Sequence, residues 1–187
     1  MKNIIIGILG LIIPALIVGI FVFDVFRSSV SPSPALTPAV TSFDECVKAG
    51  NPVMESYPRR CMTSDGKSFT ESVGNELEKN DLIRLESPRP NASVTSPLQL
   101  KGEARGTWFF EASFPVNIID ANGVVLGSVS AQATGEWMTT EFVPFTTTLV
   151  FTQPTTTTGF LILKKDNPSG LPEHDDELKI PISFSIL

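Results

Sequence analysis

The sequence predicts an all-β protein, an antiparallel sandwich of about seven or eight strands preceded by one N-terminal transmembrane helix. Three observations carry this. Residues 4–23 are an unbroken apolar run. After it, Thr, Ser, Pro, Gly, Val and Phe dominate, a composition that favours pleated strands and frequent turns over helices. From residue 82 onward, short strand-like runs alternate with turn formers at the spacing of a sandwich.

The apolar run is twenty residues long from Ile4 to Phe23, which as a helix spans about 30 Å, the thickness of a bilayer core. Lys2 and the amino terminus precede it, and Asp24 and Arg27 follow. The positive-inside rule then leaves the N-terminus in the cytoplasm and the rest outside. A cleaved signal peptide would have a shorter apolar region closed by an A-x-A-like site, and none closes this run. A lipoprotein signal would place a Cys directly after it, and the first is Cys46. The expected domains are therefore an anchor over residues 1–26, a Pro/Ser-rich linker over 27–42, a small Cys-bracketed segment over 43–71, a polar linker over 72–81 and the β domain over 82–187. The expected location is the cell membrane, single-pass, with the C-terminal domain extracytoplasmic.

Residues 27–41 read RSSVSPSPALTPAVT, with no apolar period. This is an extended spacer that holds the domain off the membrane. The next segment contains the chain's two cysteines, Cys46 and Cys61. Outside the cytoplasm they are expected to pair, stapling a hairpin or loop too small to hold a core alone. A zinc site needs four ligands and a redox pair wants C-x-x-C spacing, and neither is present. An inhibitor reading survives beside the staple, because Pro58-Arg59-Arg60 would fit a trypsin-like pocket. Residues 72–81, SVGNELEKND, are polar, with room for one helical turn.

In the C-terminal part the expected strands are residues 82–86, 98–104, 114–120, 124–130, 137–142, 147–151, 160–164 and 179–184. Asn122-Gly123 between two apolar runs is a strong hairpin signal, since both residues tolerate positive φ. The pattern is that of an immunoglobulin-like sandwich without a Cys…Trp…Cys signature, so apolar packing must hold it. Trp108, Phe110, Phe114, Trp137, Phe142 and Phe145 are its expected aromatic core or rim.

The runs SPRPNASVTSPLQLKGEARGTWFFEASFPVNIIDANGVVL, GEWMTTEFVPFTTTLVF and LKKDNPSGLPEHDDELKIPISF resemble the immunoglobulin-like domain of bacterial spore germination and sporulation proteins, over about residues 82–184. The resemblance implies a β-sandwich outside the membrane, joined to other envelope modules, with no catalytic residue to carry over. No companion germination domain or peptidoglycan-binding repeat accompanies it.

The chemistry-bearing residues are few. His174 is the only histidine, in the polar loop GLPEHDDE, and no G-x-S-x-G nucleophile elbow exists. Asp175, Asp176 and Glu177 are candidate calcium ligands, but their spacing matches no EF-hand, and a run of carboxylates more often marks a solvated face. Asn91-Ala92-Ser93 fits a glycosylation sequon, a match frequent by chance. Net charge is -6 without a basic cluster, so nucleic acid is not an expected partner. The candidate binding surface is Trp108 and Phe109 with Asp166, Asn167 and Glu173, where an aromatic run and a turn-rich loop are expected to meet at one end or edge of the sandwich.

The sequence thus points to a non-catalytic binding or scaffolding module of the bacterial cell envelope, without cofactor. It would be held by the membrane through the N-terminal helix and partnered by another envelope protein or a cell-wall component. The alternatives are an envelope enzyme with a loop-built site, or a protease inhibitor acting through the Cys46–Cys61 loop.

Overall fold

The computed structural model describes residues 39–185. The expected anchor over residues 1–26 and most of the linker over 27–42 lie outside the described residues. Among the described residues no helix is long and apolar enough to cross a membrane.

The Cys-bracketed segment is more than the hairpin expected. It folds as a small lobe of one helix, α1 (Phe43–Lys48), and a three-stranded sheet of β1 (Val53–Met54), β2 (Arg60–Met62) and β3 (Ser68–Thr70). The sequence sets up α1 locally. The Ser42 side chain caps the helix by accepting from the Glu45 N–H at 3.2 Å, and Glu45 accepts in turn from the Thr41 N–H at 2.8 Å. Asp44 and Glu45 in the first turn and Lys48 in the last suit the helix dipole. The helix turns Phe43 and Cys46 inward onto Cys61, with Val40, Val53 and Phe69 around them. Cys46 and Cys61 are disulfide-bonded.

Residues 72–81, expected as a linker, form a docked segment. It holds a single helical turn, α2 (Glu76–Lys79), with Val73 and Glu76 buried. Asn75 behaves like an added strand residue. Its N–H donates to the Lys179 carbonyl at 3.2 Å, its side-chain amide donates to the Glu177 carbonyl at 2.9 Å, and its side-chain oxygen accepts from the Lys179 N–H at 2.7 Å. Gly74 permits this approach. Its φ is +68°, and a Cβ there would sit 1.9 Å from the Lys179 carbonyl oxygen.

The remaining strands are β4 (Ile83–Ser87), β5 (Ser93–Val94), β6 (Leu98–Arg105), β7 (Ser113–Asp120), β8 (Val125–Ala133), β9 (Phe142–Leu149), β10 (Thr158–Lys164) and β11 (Glu177–Phe184). They form one hydrogen-bonded sheet in the order β4-β6-β9-β8-β7-β10-β11-β5. Neighbours are antiparallel except β11 and β5, which run parallel. The sheet curls into a sandwich because β8 and β9 pair at only two positions, Gln132–Thr146 and Ala133–Phe145. By contrast, β6 and β9 pair along their whole length, from Leu98–Leu149 to Arg105–Phe142.

Strict alternation fills the interior. Leu98, Leu100, Gly102 and Ala104 of β6 point in, as do Phe114, Val116 and Ile118 of β7 and Leu178, Ile180, Ile182 and Phe184 of β11. Rings at the centre pack edge to face: Phe114 on Phe145 at 4.9 Å and 83°, and Phe109 on Phe114 at 5.2 Å. Of the expected aromatic core, Trp108, Phe114 and Phe145 are fully buried, Trp137 and Phe142 are half-buried, and Phe110 is exposed.

Two expected strands, residues 137–142 and 147–151, are instead one. β9 runs unbroken through Pro144, while residues 134–141 form an irregular loop. Pro144 sits where pairing with β8 ends. Its carbonyl accepts from the Thr134 N–H at 2.7 Å, and the N–H it lacks falls at the corner where the ladder stops. In the hairpin between β7 and β8, Gly123 takes positive φ (+82°) and Asn122 does not. The Asp120 carboxylate does the rest, as described below.

Candidate functional site

The loop between β10 and β11 meets the turn after β6. The Asp166 N–H donates to the Trp108 carbonyl at 3.0 Å. Trp108 ends a 3-10 turn, Gly106–Trp108, and it and Phe109 are only 1% and 4% exposed. These two rings therefore belong to the core and are not on the surface proposed for them. Phe110 is the ring of this run left outside, at 40%. Asn167 organises the loop itself: its amide donates to the Leu171 carbonyl and to Asp175, both at 2.8 Å, and its side-chain oxygen accepts from Ser169 at 2.5 Å. Glu173 stands exposed in the short 3-10 turn Pro172–His174. Asp166 and Asn167 are thus brought against the aromatic run, and Glu173 faces solvent.

Two of the three candidate calcium ligands, Asp175 and Asp176, are engaged elsewhere. Asp176 pairs with Lys79 at 2.6 Å, and Asp175 accepts from Asn167. Among the described residues, no three His, Cys, Asp or Glu side chains gather where they could hold a metal ion. The Asn91 amide donates to the Ser72 carbonyl at 2.8 Å and to Glu71 at 3.1 Å, so the sequon nitrogen is already committed. Of the two arginines in the Pro58-Arg59-Arg60 stretch that suited a trypsin-like pocket, Arg60 is exposed in β2 and Arg59 is clamped by Glu71, with Nε to Oε2 at 2.9 Å and Nη2 to Oε1 at 2.5 Å. The bidentate bond also holds the Glu71 carboxyl below its ordinary range.

A second cluster escaped the sequence. Glu76 is 6% exposed. Arg89, just after β4, reaches its Oε1 at 2.6 Å, and the Tyr57 hydroxyl donates to its Oε2. Arg89 also donates to the Leu85 carbonyl at 2.8 Å, and its guanidinium lies 5.2 Å from the Tyr57 ring centre. Burial pushes the Glu76 carboxyl up, and the Arg89 charge opposes the shift. ELEK reads as a solvated helical turn, and nothing in its pattern marks the first Glu as buried. The one usable signal was that Tyr57 is the chain's only tyrosine, set among turn formers.

Two grooves accompany these features. One, of about 730 Å³, runs beside β4 between Tyr57, Leu77 and Pro144, with Arg84, Arg89 and Lys101 facing Glu76, Glu86 and Glu103. Its charges pair off: Arg84 with Glu103 at 3.0 Å and Lys101 with Glu86 at 2.8 Å. Beside it the Phe142 ring is held between the guanidiniums of Arg84 and Arg105, at 4.0 and 4.1 Å. The other groove, of about 250 Å³, has apolar walls of Val94, Phe151, Pro154 and Phe184 and a polar rim.

A curled eight-stranded sheet with an interior filled by side chains, carrying a disulfide-stapled lobe and open surface grooves, is an immunoglobulin-like architecture. Residues 82–170, just under half of the chain, match the family model described as the immunoglobulin-like domain of bacterial spore germination. The matched span ends before β11, the strand that pairs with β10 along its whole length. No curated protein and no solved structure matches the chain.

Proposed function

We propose that this chain is a membrane-anchored, extracytoplasmic module with a binding or scaffolding role in the bacterial cell envelope, and that it catalyses nothing. The observation that carries the reading is the match of residues 82–170 to an immunoglobulin-like domain of bacterial spore germination, on a sandwich whose interior is filled by apolar side chains. The twenty-residue apolar run supports the anchor, because a helix of that length fits a bilayer. The Cys46–Cys61 bond supports an oxidising compartment. The partner is another envelope protein or a cell-wall component. The surfaces available for it are the loop between β10 and β11, the exposed Phe110 ring and the grooves.

Chemical cross-linking of the full chain in intact cells, read by mass spectrometry, tests this reading. Cross-links from Lys101 of the larger groove and Lys165 of the β10–β11 loop to envelope proteins or wall fragments are expected. Cross-links confined to cytoplasmic proteins would overturn it.

A further inference from the structure

We propose that the Cys46–Cys61 bond is a redox latch on the groove beside β4. While it is closed, Tyr57 stands against Glu76 and walls the groove. When it opens, that wall leaves and the sandwich stays folded.

The geometry separates the parts that move from the parts that stay. Tyr57 and Arg59 lie inside the loop that the disulfide closes, and they supply two ties from the lobe to the rest: Tyr57 to Glu76, and Arg59 through Glu71 to Asn91. The lobe's buried apolar centre is Phe43 and the two half-cystines, with Val40, Val53 and Phe69 around them. A lobe of this size cannot bury enough apolar surface to fold unaided, so the covalent staple decides whether it is ordered. The receiving groups do not depend on it. Glu76 follows Asn75, which is bonded to β11, and Arg89 is bonded to the Leu85 carbonyl of β4. The sandwich core is a separate cluster and contains no cysteine.

The chemistry is thiol–disulfide exchange with a dithiol. One thiolate attacks a cystine sulfur and displaces the other cysteine as a thiol. The second thiol of the reductant then resolves the mixed disulfide. Two cysteine thiols result, and the dithiol becomes a disulfide, having given up two electrons and two protons. Both cystine sulfurs belong to residues with no exposure, so exchange proceeds from a transiently opened lobe. The inference does not rest on the membrane reading or on a binding role.

Because Tyr57 is the chain's only tyrosine, ring-labelled tyrosine gives one NMR signal, assigned without ambiguity. The full chain is compared in three forms: oxidised, reduced with a dithiol, and C46S/C61S. Tryptophan fluorescence, from Trp108 and Trp137, which both pack in the sandwich cluster, reports the sandwich in the same samples. The expected result is a tyrosine signal moved to its unfolded-chain position in the reduced and variant forms, with tryptophan emission unchanged. A tyrosine signal that stays at its oxidised position with native tryptophan emission overturns the proposal, since the staple would not hold the wall. Loss of native tryptophan emission together with the tyrosine shift overturns it too, since the sandwich would then depend on the staple.

Discussion

Asp120 and Glu76 are both buried carboxylates, and their surroundings push them in opposite directions. Asp120 accepts the N–H groups of Asn122 and Val124 at 2.9 Å each and the Thr155 hydroxyl at 2.8 Å. The Val124 N–H foremost, with the Thr155 hydroxyl and the Asn122 N–H, holds its carboxyl below the ordinary 3.8. A folded pKa below the unfolded one means stability that is present above pH 3.8 and is lost as pH falls through the lower, folded value. Asp120→Ala should therefore lower the melting temperature at neutral pH and lose less stability on acidification than the parent, as thermal melts across that range will show. For Glu76, raised by burial, the sign reverses: its contribution grows as pH falls through its folded value and fades as pH rises above it. Gly74 is a second sensitive position. Gly74→Ala puts a Cβ into the Lys179 carbonyl at a positive φ, and should cost about 1–3 kcal/mol in urea unfolding. Little of this was legible. Asn122-Gly123 announced a turn, but the Thr155 hydroxyl that completes the grip of Asp120 lies thirty-five positions away, and no local pattern carries such a contact.

At the scale of elements, periodicity did well wherever one face is buried. β4, β6, β7, β8, β10 and β11 lie close to where alternation and turn formers put them, because a one-residue slip would turn every inward side chain out. It failed at β9, where Pro144 reads as a break but occupies the corner at which β8 departs. It also failed for residues 72–81, whose polar side chains bond to the edge of β11 and leave no apolar period. In the aromatic run, three consecutive rings, Trp108, Phe109 and Phe110, cannot all face inward on one strand. The structure resolves it with a 3-10 turn that buries Trp108 and Phe109 and leaves Phe110 outside. β9 carries the central ring: Phe145 is fully buried against Phe114. Phe145→Ala should destabilise the sandwich by about 3–5 kcal/mol, measured by denaturant unfolding followed through the fluorescence of Trp108 and Trp137.

For the whole molecule, the lobe and the sandwich are joined by Tyr57–Glu76–Arg89 and by Arg59–Glu71–Asn91, contacts that span segments the sequence presents as separate. The cysteine count made the staple legible; its docking was not, because ion pairs between distant segments leave no periodic trace. The unfolded, unreduced protein should show no reactive thiol toward a maleimide, and labelling of both cysteines would exclude the bond. The larger claim is that this module is held at the membrane and faces outward. Adding protease to intact, wall-stripped cells tests it most directly. The account predicts that the chain stays with the membranes after a high-salt wash and that its β domain is lost to external protease while a cytoplasmic marker survives. A chain released by the wash, or a β domain protected until the cells are lysed, would contradict it.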